Sequence, residues 1–356
     1  MLCTAEPEVL PLDFGLREWA DAIMHEVSVS RLRADVEAFP APRNRLHSPK
    51  AMADADDLIV QRFRDVGWKT ELHHYHLTEA RGCLDYSEGP LFPVARAVTY
   101  ADLAGTNILG VKEGSASTDA IVVGAHHDTI RDSPGADDNT ASVAALLELA
   151  RLLASYSFKY TLILAAFDME EINLFGSQAF VAKVSEERRV KGAIIYETMA
   201  YTNRLPNSQD IPPGISILYP RQTQKIKRRQ CIGDWNLVIY RKSATQLAQC
   251  FGEGLAYIAG AESLILMRDP TDLPVAGRVL EHLMPAARNF GRSDHRSFWQ
   301  AGIPAIMISD TANFRNPHYH KTSDTPDTLD YDRLAAIVGA TTVALAQIAE
   351  LNRSFH

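Results

Sequence analysis

The sequence predicts an α/β fold: a three-layer α/β/α sandwich around a mostly parallel, mixed central sheet. Three observations predict it. Ala120–Ala125, Tyr160–Phe167 and Gly192–Tyr196 are short, continuous apolar runs, as strands buried on both faces should be. Helical periodicity fills the gaps between them, over Thr140–Leu153 and Leu174–Val184. Strand and helix in regular alternation imply parallel neighbours joined by crossovers, with helices on both sides of the sheet.

The other elements follow in order. Apolar residues at mixed three- and four-residue spacing make Trp19–Phe39 and Met52–Phe63 helical, and Gly67 stops the second. Trp68–Leu77 reads as a strand, Gly82–Thr99 as a loop and Asn107–Val111 as a short strand. Pro304–Ser309 is a further buried strand, and Tyr331–Leu351 is a closing helix rich in good helix formers. Between Tyr201 and Gly291 the texture changes, with prolines at 206, 212, 213, 220, 270 and 274. This stretch still holds a helix, Ser243–Ala259, and two apolar runs, Leu237–Tyr240 and Leu264–Met267. We read residues 1–356 as one catalytic domain and 201–291 as an insertion within it, part lid and part substrate pocket.

With 356 residues, 46% of them hydrophobic, the chain has ample material for a large core. A net charge of −8 argues against nucleic acid as a partner. The one basic cluster, Arg221, Lys225, Lys227, Arg228 and Arg229, reads as a solvated loop of the insertion. No apolar run reaches the roughly 18 residues of a membrane span, so no membrane association is expected. The first residues lack the basic and apolar regions of a secretory signal, which makes a cytoplasmic protein the expectation. Four scattered cysteines without a C-x-x-C read as reduced thiols; Cys231 and Cys250 share one segment and could pair in an exported protein.

Candidate ligands sit where an open α/β sheet binds, just beyond the carboxyl ends of its strands. His126 and Asp128 follow the first buried strand, Glu170 and Glu171 the second, and Glu197 the third. Asp137 and Asp138 lie in a tight Pro-Gly-Ala loop before a helix, and His320 comes after the strand ending at Ser309. Two imidazoles and three carboxylate ligands, with one carboxylate left over, suit a pair of Zn²⁺ ions sharing a bridging carboxylate and water. Within His126-x-Asp128, one ring nitrogen is free for a metal while the carboxylate fixes the other. Two adjacent acids at a helix start repel unless a cation relieves them, and we assign Asp137 as the bridging ligand and Asp138 as a loop former. In Glu170-Glu171, one carboxylate can hold metal while its neighbour takes a proton from water. Each pattern alone has a bland reading: a surface histidine pair, an N-cap, an acidic helix start. The constellation as a whole favours chemistry. His74 and His76 fall on one face of a strand, where an adventitious metal site is a minor alternative.

Five ordered motifs carry a resemblance. They are Gly124-Ala125-His126-His127-Asp128, Gly135-Ala136-Asp137-Asp138-Asn139, Glu170-Glu171 with Leu174-Phe175-Gly176-Ser177, Ser293-Asp294-His295, and Tyr319-His320-Lys321-Thr322-Ser323-Asp324-Thr325. From about Ala120 onward the chain resembles the co-catalytic dizinc exopeptidases of the bacterial leucyl aminopeptidase and aminopeptidase Y type, whose fold relatives include glutaminyl cyclases.

The resemblance implies two Zn²⁺ per chain. His126 and Glu197 would hold the first, Glu171 and His320 the second, and Asp137 would bridge them. Glu170 would be the general base acting on a dizinc-bridged hydroxide, and Asp128 would orient His126. Asp137 and Asp138 would be joined by a cis peptide. Glu197 stands where the best-known members carry aspartate. Asp294 and His295 would support the site, with Arg315, Tyr319 and Trp299 as candidate substrate contacts. The implied activity is aminopeptidase action on small peptides or aminoacyl substrates. The alternatives are a carboxypeptidase or dipeptidase on the same two-zinc frame, a single-zinc acyltransferase of the glutaminyl cyclase type, and a non-catalytic scaffold. Side-chain preference and oligomeric state are left open.

Overall fold

In the computed structural model, residues 6–83, 97–272 and 285–352 are described. Eight strands form one mixed sheet in the order β1-β2-β4-β3-β5-β8-β6-β7. They are β1 Lys69–Cys83, β2 Ala97–Lys112, β3 Ala120–His126, β4 Thr161–Phe167, β5 Val190–Tyr196, β6 Asn236–Tyr240, β7 Leu264–Arg268 and β8 Ala305–Ser309. The centre, β4-β3-β5-β8, is parallel throughout.

Every residue of β3 is buried. Ile121, Val123 and Ala125 join the larger core on one face, while Ala120 and Val122 join the second core on the other. Period-two alternation thus sends one apolar run into both layers. The larger core is covered by α1 (Phe14–Glu26), α2 (Val29–Ala38), α3 (Pro49–Asp65), α4 (Ala141–Leu153), the helix Thr245–Ala259 and the closing helix Tyr331–Ile348. The second core takes its cover from α5 (Phe175–Glu187), the helix Pro220–Arg228 and the short helix His295–Gln300.

Three expectations shift. The helical stretch Trp19–Phe39 is two helices, because Ser28 ends one and starts the next. Its Oγ accepts from Arg31 N and its amide donates to Glu148 Oε1. The loop assigned to 82–99 is outlined by a long antiparallel hairpin, paired from Lys69 opposite Val111 to Cys83 opposite Ala97. Residues 84–96 lie outside the described residues. The basic cluster at 221–229 lies mostly on the helix Pro220–Arg228 rather than in a loop. Lys225 and Arg229 are tied to backbone carbonyls of residues 261–264.

The stretch 201–291 contributes β6 and β7, which extend the sheet beyond β8. Cys231 and Cys250 are both free thiols, packed into opposite cores.

Candidate metal centre

Four contiguous parallel strands point their carboxyl ends at one place. His126 closes β3, Glu170 and Glu171 follow β4, Glu197 follows β5, and His320 lies in the loop after β8. The loop before α4 brings in the Asp137-Asp138 pair. Gly135 adopts φ +63° at its start, a left-handed conformation suited to glycine. Gly176 allows the return after Glu171 to pass close to β4. A Cβ there would lie 2.2 Å from the Asp168 carbonyl oxygen.

Asp138 is the centre of the cluster. Its Oδ1 is 3.2 Å from His126 Nε2, and its Oδ2 is 3.0 Å from His320 Nε2. Glu197 Oε2 is 3.4 Å from His126 Nε2, and Glu171 Oε2 is 3.4 Å from His320 Nε2. Each oxygen of one carboxylate therefore faces its own histidine, and each histidine has its own glutamate beside it. Glu170 Oε2 lies to the side, 4.0 Å from His126 Nε2.

The bridging assignment to Asp137 is corrected. Asp137 is fully buried, but its Oδ1 accepts from Ala200 N at 2.9 Å and its Oδ2 from Asn316 Nδ2 at 2.8 Å. It faces away from both histidines and braces the segment after Glu197. Asp138 has an extended, non-helical backbone (φ −113°, ψ 82°), which turns its side chain to the cluster while that of Asp137 is taken up by Ala200 N and Asn316. The cis peptide falls between Asp138 and Asn139, one bond later than expected.

The donor set fits metal ions. Buried polar atoms normally find hydrogen-bond partners, and unpaired ones are costly. Here His126 Nε2, both oxygens of Asp138, Glu171 Oε1 and His320 Nε2 are buried and make no hydrogen bond. His126, Asp138 and Glu171 alone offer three ligand atoms within 4.8 Å of one another. Nitrogen and carboxylate oxygen are the donors that suit zinc.

The electrostatics agree. Burial raises the Glu171 pKa, helped by Asp138, to about 7. Burial alone would lower His320, but Glu171 and Asp138 carry it up to about 10. His126 is likewise lowered by burial yet carried well above its ordinary value by Glu170, Asp128 and Asp138. Burial raises Glu170 well above the usual carboxylate range, and Glu197 and Glu171 add to this. Crowded acids thus hold positive charge on the two imidazoles, where bound cations would otherwise compensate them.

Supporting contacts are specific. His126 Nδ1 lies 3.1 Å from the Asp128 carbonyl and 3.4 Å from its carboxylate. That carboxylate also accepts from Glu170 N at 3.1 Å and Glu171 N at 3.4 Å. Ser293 Oγ donates to Glu197 Oε2 at 2.8 Å. Arg43, fully buried, donates to the His127 carbonyl and to Thr140 Oγ1, placing a cation behind the acidic cluster. Ser293, Asn139 and Asp324 stand in the quoted motifs without a role read for them from sequence, and Arg43 stands in none. Their partners are remote in the chain.

Of the three candidate substrate contacts, only Tyr319 is at the site, its ring stacked on His320 at 3.9 Å. Arg315 is buried and held by Gln209 and the Trp235 carbonyl, and Trp299 Nε1 donates to the Ala305 carbonyl. Asp294 is fully buried, and burial raises its pKa to about 7. His295 donates through Nε2 to the Phe290 carbonyl, and burial lowers it to about 4. His74 and His76 are engaged by Thr106 and Asp102, away from the cluster.

The family model of peptidase family M28 matches residues 107–233 and 259–345, more than half of the chain. The chain is 36% identical over 237 residues to the uncharacterized protein YfbL of Escherichia coli (strain K12), covering 63% of this chain and 66% of YfbL. It is 34% identical over 90 residues to aminopeptidase YwaD of Bacillus subtilis (strain 168), covering 25% of this chain and 20% of YwaD. It therefore spans less than two thirds of the length of these curated relatives. In fold it is similar to an aminopeptidase from Aneurinibacillus sp. strain AM-1, with a TM-score of 0.64 at 16% identity over 93% of this chain and 96% of that one. It is also similar to the Fimbriiglobus ruber glutaminyl cyclase, with a TM-score of 0.59 at 16% identity over 96% and 97% of the two chains.

Proposed function

The chain belongs to peptidase family M28, and from that premise we propose that it is a zinc-dependent exopeptidase of the aminopeptidase type. The aminopeptidase names of the Bacillus subtilis relative and the Aneurinibacillus fold neighbour support this reading. The single observation that carries it is the placement of Asp138, each oxygen of which faces a different histidine. Two ions are proposed: one held by His126 and Glu197, the other by Glu171 and His320, with Asp138 shared between them.

The bound zinc would supply Lewis acidity, polarising the scissile carbonyl and acidifying a water molecule. The rest is the work of side chains. Glu170 makes none of the close contacts that engage Glu171 and Glu197, and burial keeps its affinity for a proton high. It would take the proton of the attacking water and return it to the leaving amine. Asp128 would keep Glu170 and Glu171 at fixed positions through their backbone amides. The carboxylates of the site favour a substrate with a free, positively charged amine.

A carboxypeptidase needs a cation to meet its substrate's carboxylate, and Arg315, the one cation among the candidate substrate contacts, is buried in a structural role. Two glutaminyl cyclases share this fold, and the number of bound ions separates that alternative from the leading reading. The experiment is metal analysis of the purified protein, paired with free-amine and N-blocked aminoacyl substrates with and without chelator. Chelator-sensitive cleavage restricted to free-amine substrates is expected. Cleavage of blocked dipeptides only, or a single ion with cyclisation of N-terminal glutamine, would replace the proposal.

A further inference from the structure

Asp324 follows His320 by four residues and is fully buried. Its carboxylate accepts two successive backbone amides, from Asp137 N to Oδ1 at 3.0 Å and from Asp138 N to Oδ2 at 3.2 Å. Its own carbonyl accepts from Ala136 N at 3.2 Å. One turn earlier, Ser133 Oγ donates to the Lys321 carbonyl at 3.0 Å. Four hydrogen bonds therefore lace the loop carrying Asp138 to the loop carrying His320.

Joining two loops does not require a charge. A buried carboxylate beside two other carboxylates is expensive, and a neutral acceptor could hold a single amide. What only a carboxylate offers is a fixed pair of oxygens spanning two consecutive N–H groups. That fixes the orientation of the Asp138 peptide as well as its position. The opposite side of the cluster has an equivalent: Asp128 accepts the amides of Glu170 and Glu171 in the same way. Asp138 is anchored separately toward β5. The next residue, Asn139, bonds the Tyr196 carbonyl and Thr198 N, on either side of Glu197.

We propose that Asp324 is a positioning residue that sets the spacing of Asp138 and His320 before any metal binds, so that the second ion position, at Glu171 and His320, depends on it. The first position, at His126 and Glu197, shares Asp138 but is also held through Asn139, so it depends on Asp324 less. This rests on the two-ion reading above.

The test is zinc titration of metal-free protein against a competing chelator, with circular dichroism and thermal melting to confirm folding. Wild type is expected to show two binding steps. In Asp324→Asn, one step is expected to weaken by about 10- to 100-fold while the other stays within roughly threefold. Asp324→Ala is expected to lose the weakened step. Amide exchange on metal-free wild type reads the same claim without a variant: the Asp137 and Asp138 amides should be protected. Two steps that are unchanged, or weakened alike, in folded Asp324→Asn overturn the inference alone, as do unprotected amides in the wild type. A wild type that takes up one ion overturns the two-ion reading and this inference with it.

Discussion

Asn139 brackets Glu197. Its Nδ2 donates to the carbonyl of Tyr196 at 3.0 Å, and its Oδ1 accepts from the amide of Thr198 at 3.3 Å. The residue after the central aspartate thus clamps the backbone on both sides of a proposed ligand. Asn139→Asp would put an oxygen against the Tyr196 carbonyl, exchanging a hydrogen bond for a repulsion. The expected cost is about 1–3 kcal/mol of stability, together with weaker zinc binding at His126 and Glu197. Chemical denaturation and zinc titration measure the two effects; a variant equal to wild type in both would remove the clamp from the account.

The two neighbouring aspartates separate cleanly by experiment. Asp138→Asn is expected to leave the purified protein with little or no zinc, since the carboxylate facing both histidines is weakened. Asp137→Ala is expected to keep its zinc but lose about 1–3 kcal/mol of stability, because Ala200 N and Asn316 Nδ2 are left without their acceptor. Elemental analysis after dialysis decides. Zinc lost from Asp137→Ala and retained by Asp138→Asn would reverse the assignment.

This pair marks the boundary of what the sequence reveals. The central strands were legible because a strand buried on both faces reads as a continuous apolar run, as in Ala120–Ala125. The loops holding His126, Glu171, Glu197 and His320 were legible because strand ends in an α/β sheet face the binding crevice. The choice between Asp137 and Asp138 was not, since it depends on an irregular backbone held by contacts to Asn316, Ala200 and Asp324. The β1-β2 hairpin was under-read because half-exposed strands mix polar residues into their alternation, as in the 15 residues of β1. Arg43 lies outside the matched family region and reaches the site only through tertiary contacts.

Glu170→Gln tests the proton-transfer role without altering the ligand set. The amide has the same shape but cannot accept the proton of water. Zinc content should equal wild type, while kcat falls by about 10²–10⁴-fold or more. Steady-state kinetics on a free-amine substrate, alongside elemental analysis, make the comparison. Turnover near wild type with full zinc would assign the base to another group.

Cys250 gives a pH-dependent readout remote from the metal cluster. Burial raises its thiol pKa to about 11, so the folded protein keeps the proton over a range where the unfolded thiol has lost it. Stability from this group is complete below the unfolded value near 9 and declines as pH rises toward 11. Alkylation of native protein at pH 8 should leave Cys250 unmodified long after denatured protein has reacted fully. Peptide mapping reads this directly; prompt native labelling at Cys250 would contradict its burial.

Zinc should stabilise the fold as well as enable the chemistry. Five buried atoms of the cluster make no hydrogen bond, and they come together only in the folded chain, so ions are expected to bind it and not the unfolded one. An ion at 100 times its dissociation constant adds about 2.7 kcal/mol by mass action. Melting temperature should therefore climb with added zinc and fall with chelator. The climb should vanish in Asp138→Asn and persist in Asp137→Ala. This contrast matters because exposed histidines such as His74 and His76 bind zinc weakly in any protein. If Asp138→Asn gained as much from zinc as wild type, the stabilising ions would be bound elsewhere, and the cluster around Asp138 would lose its claim to be the metal centre.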